Sequence, residues 1–365
     1  MRIVITRRAR LDVPDGVNIF IFALSAELAR QGHEVTVLAT EIGDLSRIEG
    51  ALAPSNMPDL ASVSSGPEAR SYDGLSIGWL TRGRQILRRL RPDLVINNGA
   101  LPFASGAPIT LAVSHDLGWN TGRRRFASLR AAYKRFSYGK ASRIVAVARE
   151  LQTALSLELG LEPSAIAVVP PCVDVAGYRS EPLERRENLI VHPGTAAYKN
   201  PTSTIRAFAR IRSETARLVV VGDVTEAIRS ELLQVRSDVR SRIELPGELP
   251  AAMLRELLSK ARIATYPTLY AVPTASATVI EAIASGTPIL VSTLVSADLA
   301  RSGINAHACP ADRPEEASSV IDRLLDDPVE WEALSNGAIA MASEFSAKRV
   351  AAQYLSLHPG HQVGS

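Results

Sequence analysis

Short apolar runs alternate with helix-length segments along nearly the whole chain, and this alternation most limits the folds open to it. An apolar run bounded by polar turns reads as a buried strand, and a segment with apolar residues every three or four positions reads as a helix. The first run is Arg2–Thr6 (RIVIT). After a loop over Arg7–Asp15 and a lone Gly16 comes a helix, Val17–Gln31, with Ile19, Phe22, Ala23, Ala26 and Leu28 on its apolar face. Gly32 ends that helix and Val35–Ala39 is the next strand. Further strands are predicted at Asp93–Asn97, Ile109–Ser114, Arg143–Ala148 and Ala165–Val169, with helices at Leu80–Arg91, Arg123–Tyr138 and Glu150–Leu159. The polar segment Asp44–Gly74, rich in Ser, Pro and Gly, reads as variable surface. Strands joined through helices form a parallel sheet, which binds ligands beyond the strands' carboxyl ends.

The pattern stops at Pro170–Glu187, which carries two adjacent prolines and a charged ERRE run, and then starts again. Strands are predicted at Leu189–His192, Leu218–Val221, Ile243–Leu245, Ile263–Tyr266, Ile289–Val291 and Ile304–Cys309. Helices are predicted at Thr202–Ser213, Thr225–Val235, Ala251–Lys260, Val279–Ser285, Pro314–Leu325, Pro328–Met341 and Ala347–Leu357. A length of 365 residues suits two domains. The expected division is a first Rossmann-like domain over residues 1–172, a linker over 173–187 and a second such domain over 188–342. Residues 343–365 would be a C-terminal helix packing back on the first domain.

A net charge of +3 argues against a general nucleic-acid binder. Basic residues cluster in Arg82–Arg91 and Arg123–Arg135. Such clusters are solvated helix faces in the plain reading and contacts for an anionic acceptor or membrane surface in the sharper one. The two cysteines, Cys172 and Cys309, make neither a disulfide framework nor a zinc site and fit a reducing cytoplasm. No long apolar run marks a signal peptide or a membrane helix. The first βαβ unit lacks Gly-x-Gly-x-x-Gly, which argues against a nicotinamide cofactor there.

The stretch Tyr266–Val291 (YPTLYAVPTASATVIEAIASGTPILV) carries the strongest chemical signal. A strand, a loop of small residues and a helix start make an anion cradle, because the first backbone N–H groups of a helix are unpaired and its dipole is positive there. Glu281, in the first turn, is placed to reach ribose hydroxyls. An ordinary βαβ turn with a helix-starting Glu has the same appearance.

With these motifs in their order, the chain resembles the family 4 retaining glycosyltransferases of the GT-B fold. VNIFIFALSAELARQGHEVTVLA (Val17–Ala39) is similar to their first helix and second strand. KASRIVAVARELQTAL followed by VVPPCVD (Val168–Asp174) is similar to their interdomain passage, and VIEAIASGTPILVS (Val279–Ser292) to their strongest signature. The resemblance implies an α/β protein of two Rossmann-like, doubly wound domains facing a cleft. The first domain would bind a hydroxyl acceptor and the second a nucleotide diphosphate sugar of UDP or GDP type. It further implies transfer with retention by front-face attack and no metal or other cofactor. The expected place is the cytoplasm, peripheral at the inner membrane face in the sharper reading of the basic clusters.

Residue by residue, the resemblance puts Glu281, the second Glu of an E-x7-E motif, on the donor ribose. Lys199, in the loop HPGTAAYKNP, goes to the diphosphate, and His115, at a strand end, lies near the reacting centre. Thr195, Gly222, Leu249, Thr274, Ser276, Thr278 and Val279 fall on donor-binding positions, and Gly16, Asn18 and Asp116 on acceptor-side ones. The plain alternatives are a solvated Lys199, a structural His115, a capping Asp116, and a helix start at Gly16 with Asp15 as its N-cap. Two departures stand out. Pro273 replaces the first Glu of the motif, and Thr195 replaces the usual Arg after the glycine. They motivate two rivals, a pseudo-glycosyltransferase with an unusual donor and a non-catalytic nucleotide-binding or scaffold protein. A nucleotide-sugar epimerase would want more cleft carboxylates and histidines than the chain offers.

Overall fold

Among the described residues, every strand pairs in parallel, in one of two sheets. The computed structural model describes residues 1–13, 15–45, 58–63, 78–101, 103–116, 127–269 and 276–359. The chain divides into two units, each with its own sheet. The first holds Met1–Val173 and the segment from Ser346, and the second holds Asp174–Val272 and Ser276–Phe345.

In the first unit the elements run β1 (Arg2–Arg10), α1 (Gly16–Arg30), β2 (Glu34–Glu41), β3 (Asp59–Ser62), α2 (Arg84–Leu90), β4 (Leu94–Asn98), β5 (Ile109–Ser114), α3 (Ala127–Tyr138), β6 (Arg143–Ala146), α4 (Arg149–Leu159) and β7 (Ile166–Val168). The seven strands lie in the order β3-β2-β1-β4-β5-β6-β7. The chain winds outward from β1 in one direction and from β4 in the other. The order reverses between these two strands, and a crevice opens at their carboxyl ends. Parallel register sets Arg7 of β1 opposite Asn98 of β4 there.

The second unit runs β8 (Glu187–Pro193), α5 (Pro201–Phe208), β9 (Arg217–Val221), α6 (Glu226–Leu233), α7 (Ser237–Arg240), β10 (Ile243–Gly247), α8 (Ala251–Lys260), β11 (Ala261–Tyr266), α9 (Ala277–Ala284), β12 (Ile289–Ser292), β13 (Ala306–Cys309), α10 (Pro314–Asp326) and α11 (Pro328–Ala342). Its six strands lie in the order β10-β9-β8-β11-β12-β13, so the reversal falls between β8 and β11. The inner strands of both sheets are buried along most of their length, which is why they read as continuous apolar runs, while the edge strands β3 and β10 are partly exposed. This is the two-domain GT-B α/β fold.

The last helix, α12 (Ala347–Ser356), belongs to the first unit. Ser346 bridges Val173, and Val350, Ala351, Tyr354 and Leu355 are buried in the first core, with the Tyr354 ring 6.0 Å from Phe20.

Three local readings change. Asp59–Ser62, inside the segment taken as variable surface, is the edge strand β3 on β2. Its four residues are too few to show a period. Strand β1 continues to Arg10 through a register shift, taking in half of the expected loop. The segment taken as a linker folds with the second unit. There Arg186 is buried, stacks 4.9 Å from the Trp331 ring, and donates to the carbonyls of Ala261 (2.8 Å), Ser285 (2.8 Å) and Gly286 (3.2 Å). Burial lowers its pKa to about 10.

Candidate functional site

In the second unit, chemistry-bearing side chains gather at the β8/β11 reversal. Strand β8 ends at Pro193, and Gly194 turns the chain at a φ of 93°, in the left-handed region that favours glycine. A Cβ at Gly194 would run into the Lys199 ammonium, which folds back under the turn. Lys199 Nζ donates to the Pro193 carbonyl at 3.1 Å and to Thr278 Oγ1 at 3.2 Å, and lies 6.0 Å from the Tyr266 ring centre. The residue is half-buried, with its ammonium turned onto these partners. That burial pulls its pKa down to about 8, partly offset by the charge of Glu281.

Thr278 and Glu281 stand on α9. Among the described residues no side chain caps this helix at Ser276; the Val279 and Ile280 N–H groups donate to the Ser276 carbonyl, while those of Ala277 and Thr278 have no partner among the described residues. Glu281 is 4% exposed. Its Oε1 accepts from the Tyr178 hydroxyl at 3.0 Å. The Arg255 guanidinium lies 4.7 Å over the Tyr178 ring, and Arg255 Nε is buried with no hydrogen-bond partner among the described residues. Burial raises the Glu281 pKa, while Tyr178, Lys199 and Arg255 act to lower it. The site thus holds a carboxylate under tension between desolvation and three stabilising neighbours.

Gly222 follows β9 at a φ of 126°, and a Cβ there would meet Thr195 Oγ1 at 2.6 Å. Its N–H donates to Gly247 at 2.8 Å, and the Gly194 N–H donates to Val221 at 2.7 Å. Thr195 and Gly222 are therefore brought together at one wall. Leu249 is part-buried just beyond Gly247, and Val279 is fully buried. Of the donor-side residues, Thr274 lies outside the described residues, as does Pro273.

The first unit carries its own concavity at the β1/β4 reversal, about 240 Å³ in volume. His115, just after β5, stands in it. Its Nε2 is 2.7 Å from Asn98 Oδ1. The Asn98 amide donates from Nδ2 to the Thr6 carbonyl at 3.0 Å, so its oxygen faces the imidazole. His115 therefore carries its hydrogen on Nε2 and keeps a lone pair on Nδ1. Burial first, and the positive charge of Arg7 second, lower its pKa to about 3, so the ring is neutral at pH 7.

Among the acceptor-side residues, Asn18 needs correction. It is fully buried, and its amide donates to the carbonyls of Arg10 (2.9 Å), Leu11 (3.2 Å) and Val13 (2.8 Å) while its oxygen accepts from Arg7. The β1–α1 loop takes both donor hydrogens and Arg7 one acceptor site, and full burial closes the rest to a ligand. Asp15 caps α1 through the Asn18 N–H and pairs with Arg7 at 2.6 Å. Gly16 is exposed at the start of that helix, and Asp116 lines the concavity.

Sequence reasoning missed Arg7, Arg8, Asn98, Tyr178 and Arg255. The doubled arginine at a strand end was a usable signal, once the parallel register with Asn97–Asn98 is known. Tyr178 and Arg255 left no local signal, since only tertiary packing brings them to Glu281.

Residues 14–176 match the model of Glycosyltransferase Family 4, and residues 187–327 match that of Glycosyl transferases group 1. The chain belongs to the family 4, group 1 glycosyltransferases. No curated protein matches it in sequence. Among solved structures, HepE of Anabaena, crystallised with UDP and glucose, is 16% identical with a TM-score of 0.75, over 99% of this chain and 100% of that one. Sucrose-phosphate synthase of Thermosynechococcus elongatus is 18% identical with a TM-score of 0.77, over 98% of each chain. WaaG, a glycosyltransferase involved in lipopolysaccharide biosynthesis, is 16% identical with a TM-score of 0.72, over 98% of this chain and 100% of that one. At these identities the likeness is one of fold. Among the described residues, no helix of this glycosyltransferase is long and apolar enough to cross a membrane.

Proposed function

We propose that this glycosyltransferase moves a sugar from a nucleoside diphosphate sugar to a hydroxyl acceptor, with retention at the anomeric carbon. The observation that carries the donor half is the cradle around Lys199, with its ammonium held against Thr278 at the uncapped start of α9 and Glu281 one turn further on. A fixed cation and unpaired N–H groups suit a diphosphate. Glu281 uses one oxygen on Tyr178 and has the other for ribose hydroxyls. Thr195, Ser276, Thr278 and the backbone of Val279 border the phosphates, and Gly222 and Leu249 border the base. Structures of HepE hold UDP and UDP-glucose, which favours a uridine donor here.

In this reading the bond from the anomeric carbon to the β-phosphate oxygen breaks, and that oxygen takes the acceptor hydroxyl's proton. The acceptor oxygen bonds the same face of the carbon. Lys199 offsets the charge that gathers on the leaving diphosphate. His115, in the concavity of the first unit, is neutral with a lone pair on Nδ1 that can accept a hydrogen bond from a hydroxyl of the acceptor. Because Lys199 and the α9 terminus supply the positive charge, the proposed transfer is metal-independent, and a chelator leaves the rate unchanged. Turnover is tested by UDP release from UDP-glucose with a mixed hydroxyl-acceptor pool. Lys199→Ala and Glu281→Ala lose about 100-fold or more with the fold intact. Full turnover in both variants rejects the assignment. A second reading, transfer from a non-sugar nucleotide donor, is favoured by Pro273 and Thr195 standing where the family carries Glu and Arg.

A further inference from the structure

We infer that the concavity of the first unit binds an anionic group on the acceptor, a phosphate or carboxylate, through Arg7, Arg8 and Lys134. The inference relies on the sugar-transfer reading only for calling this ligand the acceptor. The binding itself is argued from the first unit alone.

The concavity sits where the order of the first sheet reverses, and two elements bring its cations together. Arg7 and Arg8 stand in the second half of β1, where its pairing with β4 ends, and Lys134 comes from α3. Asp116 is the single carboxylate lining it among the described residues. Carboxylates that balance the other charges lie to the side: Asp15 holds Arg7 at 2.6 Å and Glu158 holds Lys134 at 2.9 Å. Neither Asp15 nor Glu158 is among the lining residues. These pairs fix Arg7 and Lys134 in place, and among the described lining residues three cations stand with one carboxylate.

Arg8 is seated with equal care. Gly99, at a φ of 107°, leaves the space in which the guanidinium lies, and a Cβ there would come within 3.0 Å of Arg8 Nη2. Two titratable neighbours also feel these cations: burial first and the charge of Arg7 second lower the pKa of His115, and at Tyr138, whose pKa burial raises, the charge of Arg8 acts the other way. A concavity lined with fixed cations, a neutral imidazole and tyrosines, at a sheet's reversal point, is built for an anion carrying hydroxyl groups. A neutral sugar acceptor could take hydrogen bonds from these groups but would leave their charge unmatched.

The test uses glycerol 3-phosphate against glycerol, titrated into the full chain saturated with UDP so that the donor cradle is filled. Glycerol 3-phosphate is expected to bind, glycerol at least about tenfold more weakly, and Arg8→Gln to weaken the phosphate about tenfold while UDP affinity stays unchanged. The same titration into Lys199→Ala without UDP should give the wild-type affinity for glycerol 3-phosphate. That arm scores the subsite even if UDP fails to bind and the donor reading falls. Equal binding of the two probes, loss of phosphate binding on UDP saturation, or indifference to Arg8→Gln overturns the inference. Should Arg8→Gln unfold, Lys134→Gln replaces it with the same expectation. Vesicles of phosphatidylglycerol against phosphatidylcholine separate the sources. Arg8-dependent binding to the anionic vesicles marks a lipid headgroup, and binding of glycerol 3-phosphate alone marks a soluble acceptor.

Discussion

Glu281 shows how one carboxylate can be both buried and useful. Its raised pKa means that the folded chain holds a proton which the unfolded chain releases near the ordinary value of 4.5. The stability contributed by this group therefore falls as pH rises above that value, and the three lowering neighbours limit the loss. A ribose hydroxyl needs the ionised form as acceptor, so UDP affinity should drop as pH falls through the Glu281 pKa. Tyr178→Phe removes the hydroxyl that Glu281 accepts from and leaves the ring under Arg255. The drop should then move to higher pH, with affinity at high pH changed little. A pH series of UDP titrations on both proteins checks this, and an unmoved or downward shift contradicts it. Glu281 was legible as a ribose candidate because its helix start follows a loop of small residues. Its supports were not, because Tyr178 lies 103 positions away in a segment that looks like a linker. Asn18 was misread for a related reason. A polar residue beside a glycine at a helix start looks like a ligand contact, and only the packed loop reveals three carbonyls already claiming its amide.

At the scale of elements, the β1–α1 loop is drawn tight around Asn18 and the β8–α5 loop around Lys199. The β8–α5 loop closes over Lys199 because Gly194 takes a left-handed conformation and has no Cβ. Gly194→Ala should cost about 1–2 kcal/mol for the backbone alone. It should also displace the ammonium, so UDP affinity falls further than stability does. Comparing melting temperature with UDP affinity separates the two effects, and an alanine variant with wild-type values for both contradicts this account of the loop. Strand and helix positions were readable from periodicity in both units, since double burial makes strands uniformly apolar. Ends were less readable. Helix α5 stops at Phe208 rather than Ser213, because beyond Phe208 the chain is held by shorter turn bonds, from Arg210 to Ala207 and from Ile211 to Phe208.

At the scale of the whole molecule, one arrangement is used twice. Each sheet reverses its order once, and each reversal holds a polar cluster: Arg7, Arg8, Asn98 and His115 in the first, Lys199, Thr278 and Glu281 in the second. The alternation of strands and helices made the architecture legible. The family resemblance, rather than the pattern, singled out Lys199 and His115. The chain's return to the first unit also matters for its stability. Tyr354 is fully buried against Phe20, so Tyr354→Ala should destabilise the first core by about 3–5 kcal/mol. Hydrogen exchange in α1 and β1 should accelerate accordingly, and unchanged protection there would show that α12 is not part of that core.

The central claim is that the Lys199 cradle is a nucleoside diphosphate site, and calorimetric titration of UDP into the wild type and Lys199→Ala tests it most directly. The account predicts saturable binding by the wild type and at least about a tenfold loss, worth about 1.4 kcal/mol, in the variant with its melting temperature preserved. Equal affinity in the two proteins, or no binding of UDP or GDP by the wild type, would contradict it.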